Sequence, residues 1–62
     1  MPILKLETLD LTKDQKKQLV EELTETASRI TGIPQEEYYV ILKENSLDNV
    51  GSGGKLLSER TK

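Results

Sequence analysis

Residues 12–34 read TKDQKKQLVEELTETASRITGIP, and this stretch decides the fold because it holds one helix together with its start and its stop. Thr12-Lys13-Asp14-Gln15 fits a capping box, in which the threonine hydroxyl accepts the glutamine N–H and the glutamine side chain accepts the threonine N–H. Leu19, Val20, Leu23, Ala27 and Ile30 recur at helical spacing on one face, with Lys17, Glu21, Glu25 and Arg29 opposite. Gly32 suits the left-handed position just past a helix end, and Pro34 prevents continuation.

The flanks of this helix read as strands. Upstream, residues 2–9, PILKLETL, alternate so that Pro2, Leu4, Leu6 and Thr8 share one face and Ile3, Lys5, Glu7 and Leu9 the other. The first set should meet the helix, and the second should face a subunit contact. Downstream, residues 38–44, YYVILKE, centre on Val40, Ile41 and Leu42, and an unbroken apolar run predicts burial on both faces. Strand, helix, strand is a βαβ unit of the α+β class, which requires parallel strands and a right-handed crossover. One helix covers only one face of such a sheet, so a second subunit is expected on the other.

Residues 45–54, NSLDNVGSGG, are turn-rich. The glycines at 51, 53 and 54 are capable of cradling an anion, but Gly54-Lys55-Leu56 lacks the Lys-Ser/Thr pair of a phosphate loop. A tight C-terminal hairpin reaching towards a neighbouring subunit is the better expectation. The tail, KLLSERTK, offers Leu56 and Leu57 to a contact before turning polar and fraying.

Residues 1–62 are expected to form a single domain near the lower limit of independent stability. Cysteine and histidine are both absent, which removes disulfides and the common metal-ligand clusters and leaves self-association as the remedy. The net charge is −2 and the only aromatics are Tyr38 and Tyr39, which argues against nucleic acid as a partner. Lys5 and Glu7 interrupt the N-terminal apolar stretch, so neither a signal peptide nor a membrane span is expected there. A soluble, cytoplasmic protein is the expectation.

Met1-Pro2 carries the chemistry. A small second residue favours removal of the initiator methionine, which would leave Pro2 with a free secondary amine; elsewhere the proline nitrogen is an amide without basicity. With Met1 attached, Pro2 merely begins a strand, where a missing N–H matters little. A terminal α-amine has a pKa of about 7.7–8.0, and a secondary amine is somewhat more basic. Burial among aliphatics disfavours the ammonium and lowers that value. The product is a nitrogen able to take up and return a proton near neutral pH.

Pro2 opening a strand, Asp14-Gln15-Lys16 beginning a single amphipathic helix, a second strand, and Gly51-Ser52-Gly53-Gly54-Lys55-Leu56 together resemble the 4-oxalocrotonate tautomerase family over nearly the whole chain. The resemblance implies a βαβ unit that pairs into dimers, with three dimers making a hexamer. It also implies interconversion of enol and keto forms of 2-oxo acids, with Pro2 as general base, in a pocket between subunits and without cofactor or metal. Leu9 and a neighbour's Val50 would flank Pro2.

The chain departs from the family's best-studied branch at three columns. Leu11 stands where one substrate-binding arginine belongs, in a loop one residue shorter, and Tyr39 stands where the other belongs. Val50 replaces the aromatic that packs over the proline. Hydrogen bonds to charged groups contribute about 1.5–3 kcal/mol each, so two lost arginines would cost a dianionic substrate roughly 3–6 kcal/mol. A smaller, less charged or aromatic enol acid is therefore expected. Tyr39 either donates its hydroxyl to a substrate oxygen or caps packing at the strand end; Lys13 and Lys43 are alternative cations or solvated surface residues. Two other functions stay open: an oligomeric binding or structural protein without catalysis, and hydration, dehalogenation or decarboxylation using Glu7, Asp10 or Asp48.

Overall fold

A computed structural model of the chain describes residues 1–60. The order is β1 (Ile3–Thr8), α1 (Lys13–Thr31), a short 3-10 turn (Gln35–Glu37), β2 (Tyr39–Glu44), a second 3-10 turn (Leu47–Asn49), the strands β3 (Gly51–Ser52) and β4 (Lys55–Leu56), and α2 (Leu57–Arg60). The α+β architecture expected from the sequence is present: two parallel strands, one long helix and a C-terminal hairpin. Both long strands are one residue or more shorter than their sequence patterns. The fraying expected at Thr61 and Lys62 lies outside the described residues.

Helix α1 begins as its sequence dictates. The Gln15 N–H donates to Thr12 Oγ1 at 3.1 Å, and the Thr12 N–H donates to Gln15 Oε1 at 3.0 Å. At the other end Gly32 adopts φ +79° and its N–H closes on the Ser28 carbonyl at 2.8 Å. That conformation is costly for any residue with a Cβ, which is why glycine ends the helix.

Strands β1 and β2 pair in parallel, with Ile3 opposite Tyr39 and Thr8 opposite Glu44. Pro2, Leu4, Leu6 and Thr8 are half-buried, as are Val40 and Leu42, so these residues form the face that turns inward. Ile3, Lys5, Glu7, Tyr39, Ile41 and Lys43 form the open face. The expected burial of β2 on both faces is therefore not met within one chain: Ile41 is 48% exposed. A single helix has no second side from which to cover it.

The helix face also needs correction. Leu19, Leu23 and Ala27 are half-buried, but Val20 is 39% and Ile30 71% exposed. Val20 sits at the margin of the stripe. Ile30 points along the stripe but near the helix end; a helix of this length runs about 28 Å, against about 20 Å for a six-residue strand, so its last turn overshoots the sheet. Tyr38 holds that overshoot, its hydroxyl lying 2.6 Å from Thr31 Oγ1 and donating to the Ala27 carbonyl at 3.2 Å.

The hairpin turns on Gly53 and Gly54, at φ +63° and +83°. Positive φ at both central residues matches the twist of a two-residue β-turn, and glycine reaches it without strain. The fold is extended: its radius of gyration is 15.1 Å, against about 11 Å for a compact domain of this length. None of the described residues is buried.

Candidate functional site

Pro2 stands immediately before β1, half-buried, and its carbonyl accepts the Tyr39 N–H at 3.1 Å. That bond is the first rung of the parallel ladder. It fixes the proline backbone and sets Tyr39 directly across from Ile3. Tyr39 is 56% exposed on the open face, and its hydroxyl makes no hydrogen bond among the described residues. The neighbouring tyrosine is committed otherwise, since Tyr38 uses its hydroxyl on Thr31 and Ala27. Of the residues singled out from the sequence, Pro2 and Tyr39 are thus joined through the backbone alone, with their side chains on opposite faces of the sheet.

The chain does not bring Leu9 or Val50 to them. Leu9, 45% exposed, follows the last residue of β1, a strand length of about 20 Å from Pro2. Val50 is half-buried at the root of the hairpin, where its carbonyl accepts the Leu57 N–H at 2.8 Å. Neither pairing nor hydrogen bonding links it to Pro2 among the described residues. Glu7 and Asp10 likewise lie at the far end of β1 and Asp48 in the 3-10 turn beyond the end of β2, so within one chain none of these carboxylates stands beside the proline. Lys43 lies in register with Glu7 on the open face, and Lys13 opens the helix in solvent.

That far end holds a cluster which the sequence did not announce. Glu44 closes β2, and its carboxylate accepts the Leu11 N–H at 2.7 Å and meets the Lys16 ammonium at 2.8 Å. The Lys16 hydrogen bond, and after it the Leu11 N–H, hold the Glu44 carboxyl below its ordinary range, because both favour the charged form. Beside it the Asn45 N–H donates to the Thr8 carbonyl at 2.7 Å, and Asn45 Nδ2 donates to Glu7 Oε1 at 3.3 Å. The loop that carries Leu11 is therefore pinned to the end of the sheet. Its signal lay in two residues distant in sequence, an acid ending one strand and a lysine in the first helical turn.

Among the described residues no group of three or more acidic, histidine or cysteine side chains is placed to hold a metal ion, and no helix is long and apolar enough to cross a membrane.

Comparison with known proteins bears on the same residues. The family model described as "Tautomerase enzyme" matches residues 2–60. A probable tautomerase of Bacillus cereus is 38% identical over 61 residues, covering 97% of this chain and 100% of the relative. One of Listeria monocytogenes is 42% identical over 55 residues, covering 87% of this chain and 90% of its own length. Among solved structures, a 4-oxalocrotonate tautomerase homologue superposes with a TM-score of 0.87 at 41% identity, each chain wholly covered. A heterohexameric 4-oxalocrotonate tautomerase of Chloroflexus aurantiacus gives 0.85 at 25% identity, covering 95% of this chain and 97% of the other. By family match, sequence and fold alike, this chain belongs to the tautomerase family, which supports tautomerase activity in general terms.

Proposed function

We propose that the chain, as a single domain of residues 1–62, is a cytoplasmic enol–keto tautomerase in which Pro2, freed by removal of Met1, is the general base for an enol or 2-oxo acid. The placement of Pro2 carries this: it is half-buried at the head of β1, with its carbonyl fixed by the Tyr39 N–H at 3.1 Å. A base held by the backbone keeps its lone pair in one direction and needs no side-chain ordering before reaction. The amine takes the proton of the enol hydroxyl or of a carbon beside the carbonyl, becomes an ammonium, and returns the proton to the far carbon. Tyr39, its hydroxyl uncommitted on the open face, is our candidate donor to a substrate oxygen in a pocket shared between chains. No cofactor is required by this route.

The pocket is completed in an assembly of identical chains. A compact protein of 7.0 kDa exposes about 4,000 Å², whereas this chain exposes 5097 Å² with no described residue buried. Ile3, Tyr39 and Ile41 line an uncovered sheet face, and a second copy covering it is the economical solution. Leu9 and Val50 then reach Pro2 from neighbouring chains. A trimer of dimers is the assembly we favour, and a relative of this fold is described as a heterohexamer.

The test is the conversion of an arylpyruvate enol to its keto form by protein whose intact mass shows Met1 removed. The same protein with Met1 retained, its Pro2 nitrogen an amide, should show kcat/KM lower by about 10²-fold or more, the ordinary contribution of a positioned base. A methionine-free protein with no activity over a broad enol panel would favour the second reading, an oligomeric binding protein. The observation on that side is Leu11, an aliphatic residue whose pinned loop presents no cation to a substrate carboxylate.

A further inference from the structure

At the corner between the hairpin and α2 lies an open cavity of about 540 Å³ lined by Ser52, Gly53, Lys55, Glu59 and Arg60. Among the described residues its lining carries two cations, Lys55 and Arg60, against one carboxylate, Glu59. Among the described residues neither Lys55 nor Arg60 forms an ion pair within 4.0 Å, although Glu59 lines the same cavity. The Arg60 guanidinium is instead steered over the hairpin by a weak bond from Nη1 to the Ser52 carbonyl, at 3.4 Å. That contact uses one of five guanidinium N–H donors and leaves the fork available. The turn does not crowd the mouth: a methyl placed on Gly53 would meet nothing within 4 Å.

We propose that this corner is a small-oxyanion site, in which the Arg60 fork and the Lys55 ammonium bind a carboxylate or phosphate group and Ser52 and Gly53 form its floor. A guanidinium matches two oxygens of such a group at once, and an ammonium adds a point charge beside it. Glu59 opposes binding and sets the affinity low, in the millimolar range. The site does not rest on the proton transfer at Pro2. It gives the chain a place for an acidic group although Leu11 and Tyr39 offer no cation.

The test is an NMR titration of the full-length protein at constant ionic strength, with inorganic phosphate in one arm and pyruvate in the other. Saturable shifts of Ser52, Gly53, Gly54, Lys55 and the Arg60 side chain are expected in at least one arm, and the tighter arm identifies which oxyanion the corner prefers. Arg60→Gln should weaken binding about tenfold, the lower range for a hydrogen bond to a charged group. Lys55→Gln should weaken it as well, which keeps the test decisive if one variant folds poorly. Glu59→Gln should tighten it about twofold to fivefold, the scale of an exposed charge pair. Shifts that stay linear in both arms, that sodium chloride reproduces, or that survive both cation substitutions unchanged would overturn the proposal.

Discussion

The Glu44 carboxylate accepts the backbone N–H of Leu11 at 2.7 Å across 33 residues of sequence, and the same carboxylate is paired with Lys16 at 2.8 Å. One side chain therefore joins the end of β2, the loop after β1 and the first turn of α1. Because both partners favour the ionised form, the folded protein holds this carboxyl below the value of about 4.3 that it has in an unfolded chain. The unfolded state then binds the proton more readily, so this increment of stability is complete above that value. It is lost as pH falls through the lowered folded value. Thermal denaturation should show the wild type losing part of its advantage over Glu44→Gln as pH is taken below 4.3. A difference in melting temperature that stays constant from neutral pH to acid would count against the clamp.

The two adjacent tyrosines should separate cleanly by readout. Tyr38→Phe removes a hydroxyl bonded to Thr31 and Ala27, and should cost about 1 kcal/mol of stability with little kinetic effect. Tyr39→Phe removes a hydroxyl with no partner among the described residues, so its stability should hold. Its kcat/KM for an enol acid should fall about tenfold, the value of one hydrogen bond to a charged group. Unchanged kinetics for Tyr39→Phe on every substrate would remove that residue from the chemistry.

Thr12→Ala deletes the hydroxyl half of the capping box. A loss of about 1 kcal/mol is expected from chemical denaturation. Gln15→Ala, which removes the reciprocal bond to the Thr12 N–H, should show a smaller loss, and the double variant should fall short of the sum because the two bonds share one turn.

Ile41→Lys puts a charge in the middle of the uncovered sheet face, beside Lys5 and Lys43. In a chain that worked alone the change would be nearly silent, as exposed substitutions usually are. If that face lies between copies, sedimentation should show the assembly collapsing, together with a loss of helical signal. Retention of the native mass would argue that the sheet face is free.

How much of this was legible in the sequence depended on distance along the chain. Thr12 with Gln15, Gly32 before Pro34, and the paired glycines at the hairpin tip are local signals, and each appears where its residues placed it. The alternation of Leu4 and Leu6 likewise gave the inward face of β1. Ile30 misled because periodicity records direction around a helix but not whether anything lies opposite, and the sheet ends before it. Glu44, Leu11 and Lys16 were silent because their meeting follows from strand register. The Pro2–Tyr39 juxtaposition was half visible: the parallel crossover was predictable, but the residue facing the first rung was not.

The lack of any buried residue among those described has a thermodynamic corollary. If other copies cover its open face, as proposed, such a polypeptide gains its decisive stabilisation from them, and folding and association become one reaction of higher molecularity. For such a protein water alone acts as a denaturant: each tenfold dilution should lower the apparent midpoint of unfolding, with no change of temperature, pH or solvent.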